Sequence, residues 1–204
     1  MHSGWQKQLA RLLSNIFNPF LVSTTLVVLI SLRSAVSTVE AIKWSLIALA
    51  LSTLPIFLIV LYLVRSDRLE SIFINVRRQR HKIYLLSGLC GAATCIVLYY
   101  LEAPLVLVVA FLAGITAVVV FMGINLWWKI SVHTAFAASA ITLLVLLYGP
   151  AAALTGLLLP LIGWSRIELE HHSLTQVATG AVLSVLIVLG IFYLFGLVGN
   201  GARI

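Results

Sequence analysis

Seven apolar runs dominate this sequence, at about 17–32, 41–64, 83–101, 104–128, 132–148, 150–164 and 174–198. A helix needs about 20 consecutive apolar residues to cross the hydrocarbon core of a bilayer, with a range near 17–25. In lipid every backbone N–H and C=O must be satisfied within the protein, so such runs fold as helices rather than as an open sheet. Composition agrees, since 62% of the 204 residues are hydrophobic and 9% are charged, against about a quarter charged in a soluble domain. So few charges cannot cover a surface that faces water. The expected fold is all-α, a polytopic membrane helix bundle of about seven transmembrane helices. Six is the alternative, if the short run 17–32 only dips into the interface. Pro104 and the pair Gly149-Pro150 provide the turns that divide long apolar stretches into hairpins.

Residues 1–16 hold no apolar core of the kind a cleavable signal requires. Trp5, Leu9, Leu12, Leu13 and Ile16 share one helical face, with Lys7 and Arg11 off it. That pattern predicts a short interfacial helix, followed by a single transmembrane domain over 17–204. Cys90 and Cys95, five residues apart, turn to different faces of a helix, so no disulfide between them is expected.

The formal charge of +7 is gathered between the apolar runs. A nucleic-acid partner would need a basic soluble face, and none is expected here; the expected partners are the membrane and an anionic lipid. With seven crossings, the N-terminus, the 65–82 loop, Lys129 and the 165–173 segment fall on one side. Ten of the 13 basic residues lie there, and Arg33, Lys43 and Arg203 lie opposite. The excess of Lys and Arg marks the cytoplasmic side. The expected location is a prokaryotic plasma membrane, with the N-terminus and the site below both cytoplasmic.

Lys129, Ser131 and His133 stand at the mouth of the fifth run. Ser165, Arg166, His171, His172 and Gln176 stand between the sixth and the seventh. Ionisable groups at membrane depth are costly and are functional by default. Arg offers a planar fork that matches phosphate, and Lys and Ser add donors. A neutral His can attack phosphorus, and a second His can protonate the leaving oxygen. Adjacent His171 and His172 diverge by about 100° on a helix, and no His-x-x-x-His or paired acid completes a ligand set. No metal and no other cofactor is expected.

These residues resemble the type 2 phosphatidic acid phosphatases over roughly residues 65–200. The third motif of that family is Ser-Arg, five residues, His, three residues, then usually Asp. Here it reads Ser165-Arg166, Ile167 to His171, His172, Ser173-Leu174-Thr175, Gln176. The second motif, Pro-Ser-Gly-His, reads Ile130-Ser131-Val132-His133. The first motif is degenerate, and Arg77-Arg78-Gln79-Arg80 is similar to an Arg-rich form of it. Gln in place of the third-motif Asp resembles the dolichyl-diphosphatase-like branches.

The resemblance implies an integral membrane lipid phosphatase that hydrolyses a phosphate or diphosphate on an apolar chain. The substrate would be a polyprenyl phosphate or diphosphate, or a phosphatidic-acid-like lipid. His172 would be the nucleophile and form a phosphohistidine. His133 would be the general acid and then the base, and Gln176 would orient His172. Arg166, Ser131, Lys129 and one or two of Arg77, Arg80 and Lys82 would hold the phosphoryl oxygens. On the residues alone, Glu168 and Glu170 are either a source of the charge that Gln176 lacks or plain exposed loop carboxylates. The alternatives are a phosphotransferase to another acceptor, a silent relative that binds anionic lipid, and a small-solute transporter, for which no internal repeat is visible.

Overall fold

The structure, a computed structural model, describes residues 4–69 and 77–198, apart from the side chains of Arg77 and Arg78. The described residues are helical, with no strand among them. Each of the seven apolar runs is helical. Among the described residues, five helices are long and apolar enough to cross a membrane: Thr38–Arg65, Gln79–Tyr100, Leu105–Ile124, Pro150–Glu168 and Leu174–Leu194. A sixth is counted if the bent pair Gly4–Ile16 and Pro19–Ser34 is one span. The chain is an integral membrane protein.

The expectation of seven spans differs from this at two places. The first run becomes a helix of 16 residues, broken from the preceding helix around Asn18, whose side chain caps it by accepting from Leu21 N–H at 3.0 Å. The fifth run, Val132–Tyr148, has 17 residues, at the lower edge of the usual spanning length of about 17–25.

The chain divides into two compact units: residues 1–23 with 129–190, and residues 24–128 with 191–204. The first unit contains α1 (Gly4–Ile16), α7 (Val132–Tyr148), a 3₁₀ segment (Pro150–Leu157), α8 (Leu158–Glu168) and most of α9 (Leu174–Leu194). Gly149 ends α7 at φ 86°, a left-handed conformation that favours glycine, and Pro150 then starts the 3₁₀ segment. This segment runs directly into α8, and together they make 19 residues. α1 packs on α8, and α7 packs on α8 and on the 3₁₀ segment.

The second unit contains most of α2 (Pro19–Ser34), α3 (Thr38–Leu51), α4 (Thr53–Arg65), α5 (Arg77–Tyr100) and α6 (Leu105–Ile124). Ser37 caps α3 by accepting from Glu40 N–H. α3 and α4 form one span with a break at Ser52. Pro55 explains the break, because it lacks an N–H and its ring crowds the carbonyl four residues back, that of Leu51. α5 and α6 form a hairpin in which Gly91 lets α6 approach, since a Cβ there would lie 3.2 Å from Ile115 Cγ1. Cys90 and Cys95 are free thiols.

Candidate active site

Ser131 is the N-cap of α7, with an extended backbone, and its Oγ accepts from Thr134 N–H. Capping residues of this type satisfy one of the orphan N–H groups of a first turn. The cap places His133 in that first turn, where it is buried. Ser131 also ties α7 to α9, because its N–H donates to the Gln176 carbonyl at 3.3 Å. Thr134 Oγ1 lies 3.1 Å from the Ser131 carbonyl and 3.2 Å from that of Val177, bridging the two helix ends.

The start of α9 is set by a reciprocal cap. Gln176 N–H donates to Ser173 Oγ, and Ser173 N–H donates to Gln176 Oε1, each at 3.3 Å. This is a capping box in which a glutamine completes the exchange. The same Oε1 lies 3.0 Å from His172 Nδ1. The backbone N–H of Ser173 can only donate, so the atom it meets is the amide oxygen and not the nitrogen. That oxygen only accepts, so Nδ1 of His172 carries a proton, and in the neutral ring the lone pair lies on Nε2.

The loop before α9 is held by carbonyls. The Arg166 carbonyl accepts from His171 N–H at 3.1 Å and from His172 N–H at 3.2 Å. Lys129 Nζ donates to the His171 carbonyl at 2.8 Å. Glu170, at φ 58°, makes the turn and pairs with Lys7 at 3.3 Å. Its carboxylate therefore serves the loop and α1. Ser165 Oγ donates back to the Ile162 carbonyl at 2.7 Å, within its own helix.

Arg166, in the last turn of α8, is 1% exposed. Its Nη1 donates to Ser14 Oγ, and the same oxygen lies 3.5 Å from His133 Nε2. Ser14 was not expected from the sequence. The amphipathic pattern of α1 draws attention to Trp5, Leu9, Leu12 and Ile16, yet these side chains are exposed, and the buried ones are Ala10 and Ser14. The available signal was the pair of small residues at i and i+4, a pattern that lets helices approach closely.

Of the expected site residues, Lys129, Ser131, His133, Arg166, His172 and Gln176 lie in one compact unit. Arg80 and Lys82 belong to the other unit, on α5; Arg80 is buried near Tyr84 one turn along, and Lys82 is exposed. The side chain of Arg77 lies outside the described residues. Glu168 is buried. Among the described residues, no group of three His, Cys, Asp or Glu side chains is arranged to hold a metal ion.

Close packing at Gly180 supports the junction of α7 and α9. A Cβ there would lie 2.8 Å from the Ser131 carbonyl oxygen and 2.9 Å from Ile130 Cγ2. Gly180→Ala should therefore push α9 from the Ser131 cap and cost about 1–3 kcal/mol, in the range for overpacking. Gly190→Ala on the same helix is the control, because nothing lies within 4 Å of its Cβ position. Thermal unfolding in detergent measures both variants, and equal midpoints would refute a tight α7–α9 contact.

Fold and site together define an integral membrane helical protein with two buried histidines, a buried arginine and a lysine gathered at helix ends. No protein-family model, curated protein or solved structure matches the chain.

Proposed function

We propose that this protein is a membrane lipid phosphatase of the histidine-nucleophile type, related to the type 2 phosphatidic acid phosphatases. Its substrate would be a phosphate or diphosphate on an apolar chain, such as a polyprenyl phosphate. The observation that carries the reading is the hydrogen bond of 3.0 Å between His172 Nδ1 and Gln176 Oε1. It directs the proton to Nδ1 and the lone pair to Nε2, the nitrogen that would attack phosphorus.

In this reading Nε2 of His172 forms a bond to phosphorus as the bond to the lipid oxygen breaks in line. His133 gives a proton to the departing oxygen. Water, losing its proton to His133, then attacks phosphorus, the P–N bond breaks, and inorganic phosphate leaves. The guanidinium of Arg166 and the ammonium of Lys129 would balance the phosphoryl oxygens, and Ser131 would add a hydroxyl donor. A loose phosphoryl transition state leaves mainly positioning and charge to the protein. We propose that the site faces the cytoplasm, because with α2 and α7 both crossing the membrane it lies on the side that carries most of the basic residues.

The test is phosphate release from a panel of lipid phosphates and diphosphates in detergent, with and without a chelator. Release from at least one lipid that persists in chelator is expected. Lipid binding without release would instead favour a silent anionic-lipid-binding relative, and release only with added metal would overturn the mechanism.

Gln176 offers a sharper test of the orienting bond. Gln176→Ala should lose activity by about tenfold or more, because the nucleophile loses its fixed pose. Gln176→Asp keeps an acceptor one turn from His172 but adds a negative charge, which favours the imidazolium over the nucleophilic neutral ring. The parent should therefore stay active to lower pH than the Gln176→Asp variant. Overlapping acid limbs in the two pH–rate profiles would show that the amide does not act on His172.

A further inference from the structure

We infer that Ser14 is a positioning residue of the phosphoryl-transfer site, brought in by the N-terminal helix to bridge Arg166 and His133 and hold the acid–base imidazole in one pose. The inference rests on the phosphatase reading above.

Hydroxyl behaviour elsewhere in this chain gives the contrast. Ser34, Ser45, Ser52, Thr94, Thr116 and Thr142 all turn back to donate to the carbonyl four residues earlier. That is the usual way for a helical hydroxyl to satisfy itself in an apolar setting. Ser14, 2% exposed in the middle of a protein contact, does not do this. Its oxygen accepts from Arg166 Nη1 and lies 3.5 Å from His133 Nε2. These contacts span 152 and 119 residues of sequence, so they exist only because α1 is seated on α8.

The seating of α1 is specific. Ala10 is fully buried one turn before Ser14. One turn further back, Lys7 pairs with Glu170 in the loop that carries His171 and His172. The helix thus touches the loop at one end through an exposed ion pair and reaches the histidine–arginine cluster at the other.

The chemistry of the bridge follows from donor counting. A guanidinium N–H only donates, so it takes one lone pair of the Ser14 oxygen. The hydroxyl keeps a second lone pair and a hydrogen. It can accept from a protonated Nε2 or donate to a bare one. One hydroxyl therefore fits the His133 ring in both protonation states, and general acid–base catalysis by this ring passes through both. The nearby guanidinium charge polarises the O–H toward donation. Loss of the hydroxyl would remove the contact that the ring makes at Nε2 and with it part of its alignment, which lowers turnover more than substrate binding.

The experiment uses the full chain in detergent, with Ser14→Ala, Ser14→Thr and the near-isosteric Ser14→Cys. It reads kcat and KM for a polyprenyl phosphate across pH, and the ¹⁵N imidazole signals of the histidine-labelled protein, with His133 assigned by substitution. Ser14→Ala should lower kcat by about tenfold with KM changed by less than about twofold. It should also shift the pH–rate profile and move the His133 Nε2 signal. Ser14→Thr should restore most of kcat, and Ser14→Cys covers the case of an Ala variant that misfolds, with the same direction of loss. Parental kcat, pH profile and His133 signal in a folded Ala or Cys variant overturn the inference. So does a rise in kcat, which would mean that the hydroxyl blocks the substrate. A parent that releases no phosphate sinks the phosphatase reading and the catalytic role with it. The His133 signal then still reports whether Ser14 bridges to the ring.

Discussion

His172→Ala should lower phosphate release from a lipid phosphate by about a thousandfold or more, because covalent catalysis has no substitute nucleophile in the site. Nearby His171 is the obvious rival, and its position argues against rescue. Its carbonyl is held by Lys129 at 2.8 Å and its N–H by the Arg166 carbonyl at 3.1 Å, so the backbone at this position is clamped. Gln176 Oε1 serves His172, not His171. The companion experiment is His133→Ala with labelled substrate. The labelled substrate should carry a leaving group that departs without protonation. In the proposed mechanism loss of His133 then slows only the activation of water, and label should accumulate on the protein as an acid-labile, base-stable phosphohistidine. Mapping should place it at His172. An unlabelled His133→Ala protein that still turns over, or a fully active His172→Ala protein, would overturn the assignment of the nucleophile.

Arg166→Ala should cost about 100- to 1,000-fold in kcat, the scale for losing a preorganised donor to a developing oxyanion. The guanidinium is 1% exposed, so its charge is little screened by water and acts strongly on an anion beside it. Arg166→Lys keeps the charge and loses the planar fork. It should recover part of the loss, because a lysine ammonium cannot at once meet a phosphoryl group in two-pronged fashion and donate to Ser14. The backbone role of this residue is independent of its side chain, since its carbonyl receives the N–H groups of His171 and His172. The α8–α9 loop should therefore survive both substitutions. Equal kcat in parent and Arg166→Ala, with both folded by circular dichroism, would show that the guanidinium serves packing alone.

Much of the local structure of the site is legible in the residues themselves. The caps at Ser131 and Ser173 carry a local signal, a short side-chain oxygen ahead of an apolar run, but the sequence reading takes Ser131 for a phosphate donor and Ser173 for a spacer. His172 and Gln176 are four apart, one turn, so contact between them follows from helix geometry. The break at Ser52 is less legible. Pro55 accounts for it, yet the run 41–64 reads as one apolar span, and Thr38–Arg65 is long and apolar enough to cross as one. Sequence reading of α1 identifies the helix and its apolar face, but not the opposite, small-residue face that makes the protein contact. Hydrophobicity ranks Trp5 and Leu9 above Ala10 and Ser14, but a surface facing lipid has no need to bury large apolar side chains, and close helix contacts select small ones. Trp5 is accordingly 63% exposed in the protein.

By itself the sequence determined that this is a helical membrane protein, where its apolar runs fall, and which histidine has a glutamine one turn away. All of these depend on periodicity, length and composition within a few tens of residues. Tertiary structure alone decided that Ser14 meets Arg166 and His133, that Gly180 lies against the Ser131 carbonyl, and that Glu170 is spent on Lys7. The physical reason is that a hydrogen bond between distant residues depends on how two helices are set against each other. That setting follows from the volumes of side chains on both surfaces together, such as Ala10 against α8. Neither segment encodes it alone.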